Sequence, residues 1–119
     1  MRVFIMRHAE SYSNTQGKMM STTDLPLTEK GIKQAAVARS YLSCIIYPNS
    51  FVLAFSSPLL RAKQTADIIV NQDINITESD LLKEMNLGEM EGLTWNERAM
   101  KYPDVDMENA LAEAKFPNG

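Results

Sequence analysis

The chain has 119 residues, 45% of them hydrophobic and 23% charged, the size and balance of one α/β-sized domain that buries its own core and leaves little for a second unit. A formal net charge of −3 argues against nucleic acid or an anionic membrane as partner, while leaving room for a small anion held by a few placed arginines. The single cysteine, Cys44, excludes an intrachain disulfide and, in its apolar helical setting, is expected to pack as a small hydrophobe.

The opening run Met1-Arg2-Val3-Phe4-Ile5-Met6 is too short for a signal-peptide core, and no window approaches a membrane span. A reducing cytoplasm is the expected location. Val3 to Met6 forms a continuous apolar run, predicting a first strand buried on both faces. Residues 9–27 are polar and irregular, with Gly17 and Ser21-Thr22-Thr23-Asp24, and read as a long functional loop. Thr28 is placed to cap a helix running to about Tyr47, with Glu29 in its first turn and Ala35, Ala38, Leu42, Ile45 and Ile46 at helical spacing.

Phe51 to Phe55 predicts a second strand. Ser57-Pro58 then reads as an N-cap followed by proline at the first helical position, opening a helix to about Val70 with Ala62, Ala66 and Ile69 on one face. Ile74-Asn75-Ile76 alternates like a third strand, closed by Leu81-Leu82 and Glu84. Gly88 and Gly92 mark a loop, and two short helices follow over about 94–101 and 106–115. Strand and helix alternate, which predicts a parallel sheet with right-handed crossovers.

In such sheets ligands bind beyond the carboxyl ends of the strands. That rule gathers Arg7-His8 after strand one, Ser56-Ser57 with Arg61 after strand two, and Glu84 after strand three. The set makes chemical sense. Guanidinium forks match phosphate oxygens, and a neutral imidazole nitrogen attacks phosphorus. Two neighbouring arginines favour the neutral ring and stabilise charge on a transferring phosphoryl group. A carboxylic acid at Glu84 would protonate the departing alkoxide.

Each residue also has an ordinary role open to it: His8 a polar strand end, Arg61 a snorkelling helix surface, Glu84 a solvated loop charge, Asn14 a turn former. The eight methionines read as core filler. One histidine, one cysteine and no tight carboxylate cluster give none of the usual metal-ligand spacings, so neither a metal nor another cofactor is expected.

Four ordered segments resemble the histidine phosphatase (phosphoglycerate mutase-like) superfamily. Met6-Arg7-His8-Ala9-Glu10-Ser11 through Asn14 is similar to its Arg-His-Gly-Glu motif. Asp24-Leu25-Pro26-Leu27-Thr28 with Gly31 and Gln34-Ala35 resembles its Asp-x-Pro-Leu-Thr-x-x-Gly-x-x-Gln-Ala segment. Ser56-Ser57-Pro58-Leu59-Leu60-Arg61-Ala62 with Gln64-Thr65-Ala66 looks like its second phosphate-binding motif, and Leu82-Lys83-Glu84-Met85-Asn86-Leu87-Gly88 with Glu91-Gly92 like the segment of its proton donor.

The resemblance implies a three-layer α/β sandwich with a mostly parallel sheet and helices on both faces. It implies His8 as the phosphohistidine-forming nucleophile, Arg7 and Arg61 on the phosphoryl group, and Glu84 as acid and then base. Glu10, Ser11, Asn14 and Ser57 join the phosphate or substrate pocket, and Met20 and Ser21 line its entrance. The implied reaction is hydrolysis of a small phosphate monoester; a phosphoglycerate mutase, or an inactive relic binding a phosphorylated ligand or a partner, are the alternatives.

Three departures stand out. Ala9 replaces the usual glycine, adding a methyl group beside the phosphate. The Gly88-Glu89-Met90-Glu91-Gly92 stretch lacks the Tyr and Lys of the glycolytic mutases and sits nearer the phosphatase branch. The family's second histidine, in a later His-Gly motif, has no counterpart, because the chain holds one histidine and ends in Phe116-Pro117-Asn118-Gly119. The expectation is a single N-terminal, incomplete domain over 1–119, lacking a C-terminal strand and helix, with unpaired backbone open to a second copy of the chain.

Overall fold

The computed structural model describes residues 2–45, 53–70, 74–113 and 116–118. In chain order they form α1 (Tyr12–Thr15), α2 (Glu29–Ile45), β1 (Ala54–Ser56), α3 (Leu60–Ile69) and β2 (Ile76–Glu78). Single 3₁₀ turns at Asp80–Leu82 and Gly88–Met90 follow, then α4 (Trp95–Lys101) and α5 (Met107–Glu113). Backbone contacts divide the chain into two units: Met1–Tyr12 with Leu25–Lys83, and Ser13–Asp24 with Glu84–Gly119.

Unit 1 is a β-α-β arrangement. β1 and β2 pair in parallel, Ala54 opposite Ile76 and Ser56 opposite Glu78, and α3 is the crossover between them, packed on β1 and on α2. α2 begins as its sequence predicts: the Gly31 amide donates to Thr28 Oγ1 at 3.0 Å, satisfying one of the amides a helix start leaves over. Its inward face carries buried Gly31 and Ala35, then half-buried Ala38, Leu42 and Ile45. Ile46 and Tyr47 lie outside the described residues, as do Phe51 and Val52.

Several expectations are corrected here. Val3 to Met6 forms no ladder, and the β1–β2 pair is the sheet among the described residues. Strands need a partner within hydrogen-bonding distance, and this run lies exposed, Ile5 at 93%. The second strand ends where expected, and the third is displaced along the chain. β1 ends at Ser56, and the third predicted strand runs over Ile76–Glu78, so its end is Glu78, ion-paired with Lys63 at 2.6 Å, six residues before Glu84.

Ser57 does not cap α3. The N-cap is Leu59, without a side-chain bond, because Ser57 Oγ accepts the Leu59 amide at 3.3 Å in a local turn instead. Pro58 therefore precedes the helix. The most buried positions of α3 are Arg61 and Thr65, not Ala62, Ala66 and Ile69. Cys44 is exposed, its thiol donating to the Ser40 carbonyl, since it falls on the outer side of α2. The 9–27 loop also contains the unpredicted turn α1 and an isolated bridge, Ser11 opposite Leu27.

Unit 2 is organised by apolar burial. Met19, Leu87, Met90, Ala110 and Phe116 form its core, with Met85, Tyr102, Val105 and Met107 packed around them. α4 opens with a reciprocal capping box between Thr94 and Glu97, and the Asp106 carboxylate accepts the Glu108 and Asn109 amides at the start of α5. Gly92, at φ +81°, turns the chain so that its amide reaches the Met19 carbonyl at 2.7 Å.

Candidate active site

Within unit 1, the segment after His8 is fastened residue by residue to α2 and α3. The Ala9 amide donates to Thr65 Oγ1 at 3.1 Å, and the Glu10 amide donates to Gln34 Oε1 at 2.9 Å. The Glu10 carbonyl accepts the Thr28 amide at 3.0 Å. A Cβ at Gly31 would lie 2.0 Å from that carbonyl oxygen, so only glycine lets α2 approach this closely. Further along, the Tyr12 amide donates to the Pro26 carbonyl and the Leu27 amide to Gln64 Oε1. Side chains from two helices thus hold backbone that has no strand ladder.

His8 is half-buried, and its Nδ1 lies 2.7 Å from the Ala9 carbonyl oxygen. A carbonyl only accepts, so Nδ1 carries the hydrogen in this contact. In the neutral ring the lone pair then resides on Nε2, the tautomer suited to attack by that nitrogen. His8 and Arg7 line an open cleft of about 230 Å³ with Ala9, Gln34, Ala35 and Thr65. Arg7 is exposed, whereas Arg61 is 4% exposed. Its carbonyl accepts the Thr65 hydroxyl at 2.7 Å. Ser56 and Ser57 are buried, and the Ser56 hydroxyl donates to the Ser57 carbonyl.

The Glu10 carboxylate is engaged within the fold: Lys30 Nζ and Thr28 Oγ1 both donate to it at 2.8 Å. The Lys30 ammonium, with Thr28, holds its carboxyl below the usual range. These two donors tie the Glu10 carboxylate to the start of α2. Ser11 is fully buried.

The remaining sequence-predicted residues, Asn14, Met20, Ser21 and Glu84, belong to unit 2. Asn14 is exposed and Met20 half-buried. Glu84 is exposed, its carboxylate accepting the neighbouring Met85 amide at 3.3 Å. Ser21 is buried against Glu91: its amide and hydroxyl both donate to Glu91 Oε2 at 2.9 Å. The Thr23 amide and hydroxyl donate to Glu91 Oε1 at 2.9 and 2.7 Å. Partial burial raises the Glu91 carboxyl, but these bonds from Thr23 and Ser21 outweigh it and leave the group below the usual carboxylate range.

Gln34, Gln64, Thr65 and Glu91, which carry these bonds, all stand in the family-like segments but were not among the expected site residues. Their signal was faint: polar side chains spaced along helix faces otherwise rich in alanine, and a second glutamate beside a turn glycine.

The comparisons with known proteins agree with this architecture. The family model for the histidine phosphatase superfamily (branch 1) matches residues 3–119. The protein named uncharacterized phosphatase PhoE of Bacillus subtilis is 38% identical over 104 residues, covering 86% of this chain and 51% of its own length. The 2,3-bisphosphoglycerate-dependent phosphoglycerate mutase 2 of Gloeobacter violaceus is 34% identical over 102 residues, covering 82% of this chain and 45% of its own. The crystal structure of phosphoserine phosphatase from Entamoeba histolytica, in complex with 3-phosphoglyceric acid, matches with a TM-score of 0.70 and 30% identity over 88% of this chain and 49% of that one.

The fold is therefore the α/β fold of phosphoglycerate mutase-like proteins. The chain belongs to the histidine phosphatase superfamily. It spans about half the length of the curated relatives it matches.

Proposed function

We propose that this chain carries the phosphate-accepting part of an enzyme that hydrolyses small phosphate monoesters through a phosphohistidine at His8. The observation that supports the reading most is the His8 Nδ1 contact with the Ala9 carbonyl, because it selects Nε2 as the nucleophilic nitrogen. In this reading Arg7 and Arg61 bind the phosphoryl group, and Ser57 and Asn14 contribute to phosphate or substrate binding. Met20 and Ser21 shape the substrate entrance. Glu84 gives its proton to the leaving alkoxide and then takes one from the attacking water. Glu10 and Ser11 act by holding the loop.

The reaction balances without a cofactor. Nε2 forms a bond to phosphorus as the ester oxygen leaves with the Glu84 proton; water then breaks the P–N bond and returns a proton to Glu84. The two units are read as parts of one histidine-phosphatase domain working in the cytoplasm. A second copy of the chain would pair through the sheet's unpaired backbone.

Turnover of an aryl phosphate by the chain is the test. Release of inorganic phosphate without any bisphosphate primer is expected. A strict requirement for a bisphosphate, with transfer between positions of a phosphoglycerate, would replace the reading with a mutase. Binding of phosphate with no product would make the chain a binding module.

A further inference from the structure

We infer that Gln34 is the positioning residue of His8: it holds the peptide group whose carbonyl decides which ring nitrogen carries the hydrogen. The Glu10 amide donates to Gln34 Oε1 at 2.9 Å. The Ala9 carbonyl, which belongs to the same peptide group, lies 2.7 Å from His8 Nδ1. A trans peptide group is planar and carries its N–H and C=O on opposite edges, so turning one turns the other. Gln34 grips one edge of that plane and the imidazole meets the other.

The flanking peptide groups have partners of their own. The plane between His8 and Ala9 is held at the Ala9 amide by Thr65 Oγ1, at 3.1 Å. The plane between Glu10 and Ser11 is held at the Glu10 carbonyl by the Thr28 amide, at 3.0 Å. With both fixed, the motion left open is rotation of the middle plane alone, through opposite changes in ψ of Ala9 and φ of Glu10. That rotation would carry the Ala9 carbonyl away from Nδ1 and release the tautomer. The bond to Gln34 opposes it.

The start of α2 brings Gln34 to this place. A Cβ on Gly31 would stand 2.0 Å from the Glu10 carbonyl oxygen and 3.2 Å from the Glu10 nitrogen, so the helix passes directly against this backbone. Gln34 follows three residues later on the same face and lines the cleft with His8 and Ala9. Its side chain is exposed, and competition from water makes the expected effect a shift in tautomer ratio. The inference rests on the reading of His8 as nucleophile only for its catalytic consequence; the tautomer can be observed regardless.

The chain contains a single histidine, so ring ¹⁵N spectra report His8 without assignment ambiguity. With the ring uncharged, the wild-type chain is expected to hold the hydrogen mainly on Nδ1. Gln34→Leu deletes the acceptor and keeps a comparable helix former; the ratio of the Nδ1–H to the Nε2–H form should fall about fivefold. Exchange of the Glu10 amide should quicken while the Ala9 and Thr28 amides keep their rates. Gln34→Glu retains an acceptor oxygen at the same reach and should restore the wild-type spectrum. Phosphate incorporation should slow about 10-fold in Gln34→Leu with substrate affinity little changed. The glutamate variant, whose charge would repel phosphate, is read by its spectrum alone.

A wild-type ring with its hydrogen mainly on Nε2, an unchanged ratio in Gln34→Leu, or equal shifts in the leucine and glutamate variants would overturn the inference. So would equal quickening of the Ala9, Glu10 and Thr28 amides, the mark of general loosening. If Gln34→Leu does not fold, Gln34→Ala makes the same deletion with the best helix former. A tautomer shift in a chain that never takes up phosphate would support the positioning role while removing the proposed function. Phosphate uptake with an unchanged tautomer would do the reverse.

Discussion

Unit 2 buries Met19, Leu87, Met90, Ala110 and Phe116 in one apolar cluster. Unit 1 buries Leu27 and Ala35 but also Ser11, Thr28, Ser56, Ser57, Arg61 and Thr65, while Val3, Phe4, Ile5 and Met6 lie exposed. The two units take their definition from different forces. Apolar burial, at roughly 25 cal/mol per Å², is non-directional and tolerates small displacements. Hydrogen bonds between buried polar groups are worth only about 1 kcal/mol each, but they are directional and costly to leave unmade. Unit 1 has the arrangement suited to holding a histidine and an arginine at fixed angles.

The largest effect is expected from striking the polar fastening of unit 1. Gly31→Ala places a methyl group where the Glu10 carbonyl already stands, and the obstacle is backbone, which cannot swing aside as a flexible side chain does. A loss of about 3 kcal/mol is expected, read as a lower denaturant midpoint. Faster exchange of the Thr28 amide, which donates to that carbonyl, should accompany it. A stability unchanged from wild type would show that the seam between residues 10 and 28–31 is loose.

A smaller effect is expected where polar fastening occurs in unit 2. Glu91→Gln sets an amide NH₂ against donors from Ser21 or Thr23. The cost should be about 1–2 kcal/mol, moderated because the group is only partly out of water. Exchange at Ser21 and Thr23 should quicken while the Ala9 and Thr28 amides of unit 1 stay as they were.

The pH dependence carries a definite sign. The folded Glu91 carboxyl titrates below the unfolded one, so the unfolded chain binds the proton first. The latch's stabilisation is complete above the ordinary carboxylate range and fades as pH falls through the lowered value. Glu91→Gln should lack that component. A variant that costs more than Gly31→Ala would reverse the ranking of the two units.

Much of the helical framework was legible. The 3.6-residue spacing of Ala35, Ala38, Leu42 and Ile45 and the Thr28 cap are local signals, and α2 follows them. Strands were harder because pairing is not local. An apolar run such as Val3 to Met6 states a preference for burial, not the presence of a neighbour, and β2 settled further along the chain than alternation suggested. Ser57 shows a local contest, in which a serine turn to Leu59 displaced the expected cap.

For the site, residue type singled out His8, Arg61 and Glu84. It passed over Thr65, Gln34 and Glu91, because a threonine or glutamine on a helix acquires meaning only from the backbone it meets. Those partners lie 24 to 70 residues away, a distance no periodicity encodes.

The proposed chemistry requires phosphate to reach His8. The chain should be incubated with a ³²P-labelled phosphate donor and the protein-bound label tested for stability. The expected label is labile to acid, stable to base and absent from His8→Ala. Label surviving that substitution, or stable to acid as a serine or threonine ester would be, would contradict it.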